Sequence, residues 1–348
     1  MTRAVAALVF AWWVTAVPTH AAPHAVEPAA VAALDRELMT MSAEGFSGAV
    51  LIAEGERIVL RKAYGMLGGR AMDPTTRFWI ASVSKTFTAA AVLKCRDLGL
   101  LTLNDAIGLH LGEIPADKRT ITIAQLLSHK SGLPQAYAAE GLTDRVAAQR
   151  VILAQPLAHA PGARFTYSND NYDLAAMIVE IVTKMPFEAF VAAQILAPAG
   201  PTATGFAAGP GAQAVAPTRH PLPAAFAARQ WGGVGSGAMF SAIDDLLAWT
   251  RALRAGRVLS PDSVAEMFAP HAPLSAGSAG YGWFNDTTPR GVPRSFSRGN
   301  EDAGPSAVID VYPERGVIAV ALSHAGDAPS GVSYARRLQE LIGAMLFP

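Results

Sequence analysis

Two residues three positions apart, Ser82 and Lys85, carry the strongest chemical signal in the sequence. They lie in the stretch RFWIASVSKTFTAAAVLK, residues 77–94, whose second half has the apolar spacing of a helix. Side chains at positions i and i+3 of a helix share one face, so the lysine amine can reach the serine oxygen. A serine hydroxyl is a weak nucleophile that needs a neighbouring base to take its proton. The pair therefore predicts nucleophilic catalysis by Ser82, with Lys85 as its proton acceptor.

The surroundings of Lys85 decide whether it can act as a base. A lysine amine is ordinarily protonated, and burial among apolar side chains disfavours the charged form. Phe78, Trp79 and Phe87 offer such a setting. A serine near the start of a helix also places backbone N–H groups where an oxyanion would form. The alternative interpretation is a helix-capping serine followed by a solvated lysine, because this spacing also arises by chance.

The segments around this pair predict the elements that must hold it. Residues 48–64 alternate like two strands joined by a turn, and residues 84–98 have helical spacing. The middle third of the chain is mainly helical in pattern. A second hairpin surrounds residues 313–316, and a last helix covers about residues 331–346. Hairpins at both ends favour a sheet that both ends of the chain build together.

This order of elements predicts an α+β fold, with an antiparallel β-sheet flanked by helices and an inserted, mainly helical domain. Residues 23–98 and 225–348 would form the α/β domain that contains the sheet. Residues 99–224 would form the helical domain. We expect the active site to lie in the cleft between the two.

The first residues are typical of an export signal. Arg3 supplies a positive charge, residues 4–17 form an apolar run, and residues 19–22 offer small side chains for cleavage. We therefore interpret residues 1–22 as a signal peptide and expect a periplasmic or secreted protein. The apolar run is short for a membrane span, so we expect no stable span after cleavage. The alternative is a poorly ordered or buried N-terminal helix.

Composition narrows the choice of partners and cofactors. Lys and Arg number 28 and Asp and Glu also number 28, so net charge gives no reason to expect nucleic acid or an anionic membrane. The chain has no HExxH or CxxC pattern and its 8 histidines are scattered, so a metal site is not indicated. The single cysteine, Cys95, cannot form an internal disulfide, and we expect it in the core.

Five segments, in order, resemble one family of enzymes: ASVSKTFTAAAVLK, LLTLNDAI, ITIAQLLSHKSGLP, FTYSNDNYDLAAMIVEIV and GSGAMFSAIDDLLAW. They are similar to the serine β-lactamase and penicillin-binding-protein superfamily, in its class C β-lactamase-like branch. That branch also contains D-alanyl-D-alanine carboxypeptidases, D-aminopeptidases and esterases. The resemblance extends from about residue 35 to residue 345 and implies the β-lactamase/transpeptidase-like fold. It does not fix the substrate.

The resemblance implies roles for Tyr167 and Asn169, because Tyr167-Ser168-Asn169 matches the family's Tyr-x-Asn motif. A phenol beside the nucleophile and the lysine can relay a proton to the leaving group, as base and then as acid. The Asn169 amide can hold the lysine and the substrate carbonyl without adding charge. We expect Tyr167 to be catalytic and Asn169 to bind substrate. The alternative is a buried tyrosine followed by an asparagine that caps a helix.

The family's third motif, Lys-Thr-Gly or His-x-Gly on a strand beside the nucleophile, is absent. The matching stretch is SFSRGNEDAGPSAVIDVYP, whose spacing sets Arg298 and Gly299 at the motif, while a shift by one sets Ser297 there. An arginine can bind a substrate carboxylate through two parallel hydrogen bonds but keeps its proton, so it cannot act as a base. We expect Arg298 and Gly299 in the substrate site, with a second oxyanion N–H from Glu301 or a neighbour. The alternative is an ordinary surface arginine.

Together these residues predict a serine hydrolase that forms an acyl-enzyme on Ser82 and needs no cofactor. Its partner would be a small-molecule or peptide substrate, and the sequence leaves the oligomeric state open. A carboxylate bound by Arg298 would favour amide hydrolysis in D-amino-acid peptides or β-lactams. An Arg298 outside the site would favour hydrolysis of small esters. A catalytically weak protein that binds peptidoglycan or a partner is supported only by the altered third motif.

Overall fold

A broad antiparallel sheet forms the centre of the molecule. The computed structural model describes residues 26–206, 229–300, 305–324, 328 and 331–347. Its strands are β1 (Gly48–Glu54), β2 (Arg57–Tyr64), β3 (Met66–Leu67), β4 (Arg70–Ala71), β5 (Phe78–Trp79), β6 (Gly205–Phe206), β7 (Met239–Ser241), β8 (Ala272–Pro273), β9 (Ser278–Ala279), β10 (Phe284–Thr287), β11 (Pro293–Asn300), β12 (Ser306–Tyr312) and β13 (Val317–Ser323). Eight of them form the main sheet, in the order β2-β1-β13-β12-β11-β10-β9-β8. Strands from both ends of the chain therefore meet at its middle.

Helices cover this sheet and form the segment inserted into it. They are α1 (Pro28–Ala43), α2 (Ser84–Asp97), α3 (Gly108–Leu111), α4 (Ile123–Leu127), α5 (Arg145–Ala154), α6 (Asn169–Thr183), α7 (Phe187–Val191), α8 (Ala197–Ala199), α9 (Ile243–Arg254), α10 (Pro261–Phe268) and α11 (Tyr334–Leu346). A single 3₁₀ turn, Ala81–Val83, immediately precedes α2. This turn carries the residue that the sequence marks as the nucleophile.

The middle strands of the sheet are apolar on both faces because helices cover both. Along β1, Leu51 joins the core cluster that contains residues of α2, whereas its neighbour Ile52 joins the cluster that contains residues of α1 and α11. Successive side chains of a strand point to opposite faces, so one strand supplies both layers. Strands β12 and β13 are also nearly continuous apolar runs, because both of their faces are covered and all their residues are buried.

Helices α2 and α6 pack against each other in the larger core cluster, and this contact positions the candidate site. The segment before α6 is fixed by α4, which begins with a capping box formed by Thr122 and Gln125. Such a box satisfies two backbone donors at the start of a short helix. The start of α6 lies against the beginning of α2, since Asn169 contacts Lys85.

The α+β fold with a flanked antiparallel sheet is confirmed. The hairpin at residues 48–64 is confirmed as β1 and β2, and the last helix begins at Tyr334, a few residues later than its predicted start. Cys95 is fully buried, as predicted. The division into two domains stays a prediction, and its boundary at residue 224 lies outside the described residues, as do residues 1–22. None of the described helices combines the length and the apolar character that crossing a bilayer would require.

Candidate active site

Ser82 lies at the junction between strand β5 and helix α2. The chain turns sharply at Ala81, which adopts a φ of 43°. A residue with a side chain rarely takes this left-handed conformation, so the turn stores backbone strain next to the nucleophile. The side chain of Ser82 is partly exposed, whereas that of Lys85, one helical turn later, is only 3% exposed. The pair therefore combines an accessible hydroxyl with a buried amine.

The structure brings Lys85 and Tyr167 to the same oxygen of Ser82. Lys85 Nζ lies 3.0 Å from Ser82 Oγ. The Tyr167 hydroxyl donates to the same Oγ over 2.7 Å. Lys85 Nζ also lies 4.9 Å from the centroid of the Tyr167 ring, within the range of a cation–π contact. Two groups able to exchange protons, an amine and a phenol, thus contact one hydroxyl oxygen.

Lys85 has two further partners, and these restrict the direction of its lone pair. Its amine donates to Asn169 Oδ1 and to the backbone carbonyl oxygen of Ser236, each over 2.7 Å. Carbonyl oxygens only accept hydrogen bonds, so both N–H groups of a neutral amine would donate to these two oxygens. The remaining lone pair would then point towards Ser82 Oγ, whose hydroxyl can donate. This arrangement is the one that a general base requires.

Asn169 is the first residue of helix α6, and its side chain contacts Lys85. Its side chain is 3% exposed. Ser168 occupies the N-cap position but makes no capping hydrogen bond with its side chain. The Asn169 carbonyl oxygen thus accepts from the amine across the α2–α6 contact.

His129, in the loop after α4, holds the segment that carries Tyr167. Its Nδ1 accepts the Ser168 N–H over 3.1 Å, and its carbonyl oxygen accepts the Thr166 N–H over 2.8 Å. Its ring stacks on that of Tyr167 with centroids 4.5 Å apart. Complete burial holds the pKa of His129 well below its ordinary value. A neutral imidazole with Nδ1 free to accept is what these contacts need.

His129 therefore makes more structural contacts than the sequence predicts. The sequence predicted that His129 and Ser131 end a helix and shape a loop. Ser131 does so by donating to Asn171 Oδ1 over 2.6 Å and accepting from the Leu133 N–H over 3.0 Å. His129 in addition binds the backbone N–H groups of Thr166 and Ser168, the residues on either side of Tyr167.

The glycine-rich stretch before β7 supports the site through its backbone. The Ser236 carbonyl contacts Lys85, and the Gly235 carbonyl accepts from the Thr88 hydroxyl over 2.7 Å. A Cβ at Gly235 would lie 2.1 Å from the Tyr172 carbonyl oxygen, so no other residue fits there. The sequence predicted that this stretch lines or supports the site. It did not identify the Ser236 carbonyl, because a backbone acceptor has no residue-type signature.

Strand β11 approaches the nucleophile through Gly299. A Cβ at this position would lie 2.5 Å from the Ser82 backbone nitrogen and 2.6 Å from the Ile80 carbonyl oxygen. The strand can therefore reach the start of α2 only with a glycine here. Ser297, two residues earlier on the same face of the strand, is 2% exposed.

Arg298 points away from Ser82. It pairs with Val308 of β12, whose side chain belongs to the core cluster containing α11, whereas Gly299 pairs with Ala307 of the α2 side. Its guanidinium donates to Gln339 Oε1 of α11 over 2.9 Å. The structure thus does not bring Arg298 to the site expected from the sequence, and Ser297 occupies the site-facing position instead. Glu301, expected to supply an oxyanion N–H, lies outside the described residues.

Buried side chains beyond Arg298 form a polar network on the far face of the sheet. Gln339 donates to Asp310 Oδ1 over 2.6 Å. Burial raises the pKa of Asp310 to about 6, and the nearby guanidinium of Arg294 opposes the rise. The network joins β11, β12 and α11, so the contacts of Arg298 link these elements of the fold. Within the described part of the chain, no three His, Cys, Asp or Glu side chains are grouped to hold a metal ion.

The fold and the Ser82 site together define the class of a β-lactamase-fold serine hydrolase. A flanked antiparallel sheet carries a strand beside a serine–lysine pair at the start of a buried helix. The Beta-lactamase family model matches residues 31–344, so the chain belongs to the Beta-lactamase family.

Individual relatives differ in length and in similarity to this chain. Protein flp from Staphylococcus aureus (strain COL) is 36% identical over 172 residues, which cover 45% of this chain and 34% of that protein. The chain thus spans about a third of the length of this curated relative. A D-stereospecific amidohydrolase from Streptomyces sp. is 25% identical with a TM-score of 0.72, covering 90% of this chain and 98% of that one. An octameric penicillin-binding protein homologue from Pyrococcus abyssi is 21% identical with a TM-score of 0.76, covering 91% and 77%.

Proposed function

We propose that this protein hydrolyses esters and amides of small acyl groups through an acyl-enzyme on Ser82. In this proposal Lys85 and Tyr167 move protons, and Asn169 holds Lys85 and the substrate carbonyl. Gly299 keeps strand β11 close to the reacting carbonyl. Family membership supports hydrolase chemistry, and the roles of the individual residues are part of the proposal.

One observation carries the proposal, which is the double contact at Ser82 Oγ. Lys85 Nζ at 3.0 Å and the Tyr167 hydroxyl at 2.7 Å lie on the same oxygen. A capping serine beside a solvated lysine would have neither a buried amine nor a phenol aimed at it. A protein that only binds a partner has no need for this arrangement, so we do not propose the catalytically weak alternative.

The reaction can be written with these groups alone. The Ser82 proton passes to Lys85 as Oγ bonds to the substrate carbonyl carbon. The Tyr167 hydroxyl then gives a proton to the leaving oxygen or nitrogen as its bond to that carbon breaks. Water attacks the acyl-enzyme and gives one proton to the Tyr167 phenolate, Lys85 returns its proton to the departing Ser82 oxygen, and the carboxylic acid leaves with the other water proton.

The position of Arg298 supports substrates that need no carboxylate for binding. Its guanidinium is bonded to Gln339 on the far face of the sheet, and Ser297 shares the opposite face of this strand with Gly299, which approaches Ser82. Neutral groups there suit uncharged esters and amides. The likeness to a D-stereospecific amidohydrolase supports amides as one of the two substrate classes. Hydrolysis of β-lactams or of D-amino-acid peptides is the second candidate, favoured by the family match.

Steady-state rates on four substrates test the substrate class. We expect p-nitrophenyl acetate and D-alanine p-nitroanilide to be hydrolysed with higher kcat/KM than a D-Ala-D-Ala peptide or benzylpenicillin. The Ser82→Ala variant should lose these activities. A preference for the peptide or the penicillin would replace the proposed substrate class by the second candidate. Turnover that survives Ser82→Ala would contradict the acyl-enzyme.

The proposed location is outside the cytoplasm. It rests on the predicted signal peptide at residues 1–22, which lies outside the described residues. Expression of the full chain in a bacterial host, followed by fractionation and N-terminal sequencing, tests it. Cleavage near Ala22 and recovery from the periplasm or medium are expected, and an uncleaved chain in the cytoplasm would contradict it.

A further inference from the structure

The backbone between Gly233 and Gly237 supplies one of the groups that Lys85 contacts. The Lys85 amine donates to the Ser236 carbonyl oxygen over 2.7 Å. This carbonyl lies on a turn, which we call the glycine turn, in which the Ser236 and Gly237 amides both donate to the Gly233 carbonyl oxygen. Glycines have no side chain to anchor such a turn, and their backbone is the least restricted. Contacts from outside the turn therefore help to fix the direction of the Ser236 carbonyl.

Asp173 reaches the glycine turn from helix α6. Its Oδ2 accepts the Gly233 N–H over 2.9 Å, and its Oδ1 accepts the Gly235 N–H over 3.0 Å. The carboxyl group is fully buried and lies one helical turn after Asn169. Helix α6 thus acts on Lys85 twice, directly through Asn169 and indirectly through Asp173 and the glycine turn.

We propose that Asp173 is a positioning residue for Lys85, because its two oxygens hold the glycine turn so that the Ser236 carbonyl accepts from the amine. This inference rests on the proposed function, since it assigns Asp173 an effect on the reactivity of Ser82. Without Asp173 the Lys85 amine keeps Asn169 but loses a second fixed acceptor. Its lone pair is then no longer directed at the nucleophile.

The chemistry of the carboxyl group fits this task better than that of a packing residue. Two acceptor oxygens match the two N–H donors of the glycine turn, whereas an amide would offer one oxygen and present N–H to the other donor. Burial raises the pKa of Asp173 to about 7, and the hydrogen bond from the Gly233 amide opposes the rise while Asp170 adds to it. A buried acid destabilises the fold unless its oxygens are hydrogen-bonded, and the two N–H groups of the glycine turn supply these bonds.

A second contact shows that the glycine turn is held on both sides. The Thr88 hydroxyl of α2 donates to the Gly235 carbonyl oxygen over 2.7 Å. Asp173 of α6 binds the amide of the same Gly235. The turn thus links the two helices that carry Lys85 and Asn169, and a change at Asp173 acts on the geometry between them.

The test compares Asp173→Asn with Asp170→Asn in the full chain. Asp170 is also fully buried on α6, and it accepts from Gln155 over 2.6 Å and from the Ala138 N–H over 3.1 Å, neither of which belongs to the glycine turn. Both substitutions replace one buried carboxyl by an amide, so they control for the general cost of that change. The rate constant and the half-saturation concentration for inactivation by a fluorophosphonate are measured, together with Tm.

We expect Asp173→Asn to lower the inactivation rate constant about tenfold or more, with the half-saturation concentration unchanged. Asp170→Asn should stay within about twofold of the unsubstituted protein after correction for the folded fraction, although its Tm falls. Equal rate losses in the two variants, or no loss in Asp173→Asn, would overturn the positioning role.

A structural readout separates failure of this inference from failure of the proposed function. Crystal structures of both variants give the distance from Lys85 Nζ to the Ser236 carbonyl oxygen. We expect the contact to be lost in Asp173→Asn and kept near 2.7 Å in Asp170→Asn. An unchanged contact in Asp173→Asn would overturn the inference whatever the reagent does. Failure of the reagent to label the unsubstituted protein would instead count against the acyl-enzyme.

Discussion

The Tyr167 hydroxyl donates a hydrogen bond of 2.7 Å to Ser82 Oγ, although 85 residues separate the two along the chain. Two local structural features position the two side chains for this contact. Helix α2 begins directly after the strained turn at Ala81, and His129 fixes the backbone on both sides of Tyr167. The contact joins the sheet-bearing part of the molecule to its helical segment.

Removal of the phenol should slow catalysis with little effect on the fold. Tyr167→Phe keeps the ring that stacks on His129 but removes the proton carrier at Ser82. We expect kcat for p-nitrophenyl acetate to fall by about 10²-fold or more, as for loss of a general acid–base group. Tyr64→Phe is the matched control, because the Tyr64 hydroxyl bonds Asp35 at the α1 side of the sheet. Equal rates for the two variants would contradict a proton-transfer role.

A side chain at position 299 should damage the site by steric overlap. In Gly299→Ala the new Cβ would meet two backbone atoms at about 2.5 Å, so strand β11 or the turn at Ser82 must move. We expect a loss of stability of about 1–3 kcal/mol and a fall in kcat/KM of about tenfold or more. Gly205→Ala, whose Cβ would meet nothing within 4 Å, should leave both unchanged. Urea unfolding and steady-state rates decide, and a fully active Gly299→Ala variant would refute the predicted close approach.

Arg298 should matter for stability and not for substrate. Arg298→Ala removes the hydrogen bond to Gln339 and leaves a buried acceptor without its donor, which we expect to cost about 1–2 kcal/mol. The ratio of kcat/KM for a carboxylate-bearing peptide to that for p-nitrophenyl acetate should stay within about twofold. A selective loss for the carboxylate-bearing substrate would show that Arg298 binds it.

Burial of neutral His129 should make stability depend on pH. The folded protein holds the pKa of this imidazole well below its ordinary value of 6.5, so the unfolded chain binds a proton that the folded chain does not. Stability from this group is therefore present above about pH 6.5 and falls as pH is lowered, by up to about 1.4 kcal/mol per pH unit.

Urea midpoints at about pH 7.5 and about pH 5.5 measure this effect against His129→Gln, which cannot titrate. The unsubstituted protein should lose more stability between the two values than the variant does. Burial raises the pKa values of Asp173 and Asp310, so their contribution to the stability of the folded protein falls as pH rises. Their effect is therefore opposite to that of His129. Comparison with the variant removes their contribution, and an identical pH dependence would refute a neutral buried His129.

The spacing of Ser82 and Lys85 predicted their contact, and the order of elements predicted the fold, whereas Tyr167 and Asn169 were grouped with them because the sequence resembles a known family. The sequence could not decide between Arg298 and Ser297, since a shift of one residue along a strand turns every side chain to the other face. The pairing of β11 with β12 removes this ambiguity, because it sets Arg298 beside Val308. Such pairing depends on contacts between distant segments.

The contribution of the backbone was also beyond the sequence. The Ser236 carbonyl carries no residue-type signal, and its link to Asp173 depends on packing between α6 and the glycine turn. An acid within the apolar part of a helix, as in NYDLAAMIV, is a signal that such a contact exists. Its partner cannot be identified until the fold brings the two segments together.

Intact-mass spectrometry after treatment with a fluorophosphonate tests the acyl-enzyme proposal most directly. The full chain should gain the mass of one phosphonyl group, and peptide mapping should locate it on Ser82. Ser82→Ala should gain none. Labelling of Lys85→Met should be slower by at least about 10²-fold, since no base remains at the hydroxyl. A chain that stays unlabelled, or a label that persists in Ser82→Ala, would contradict the account.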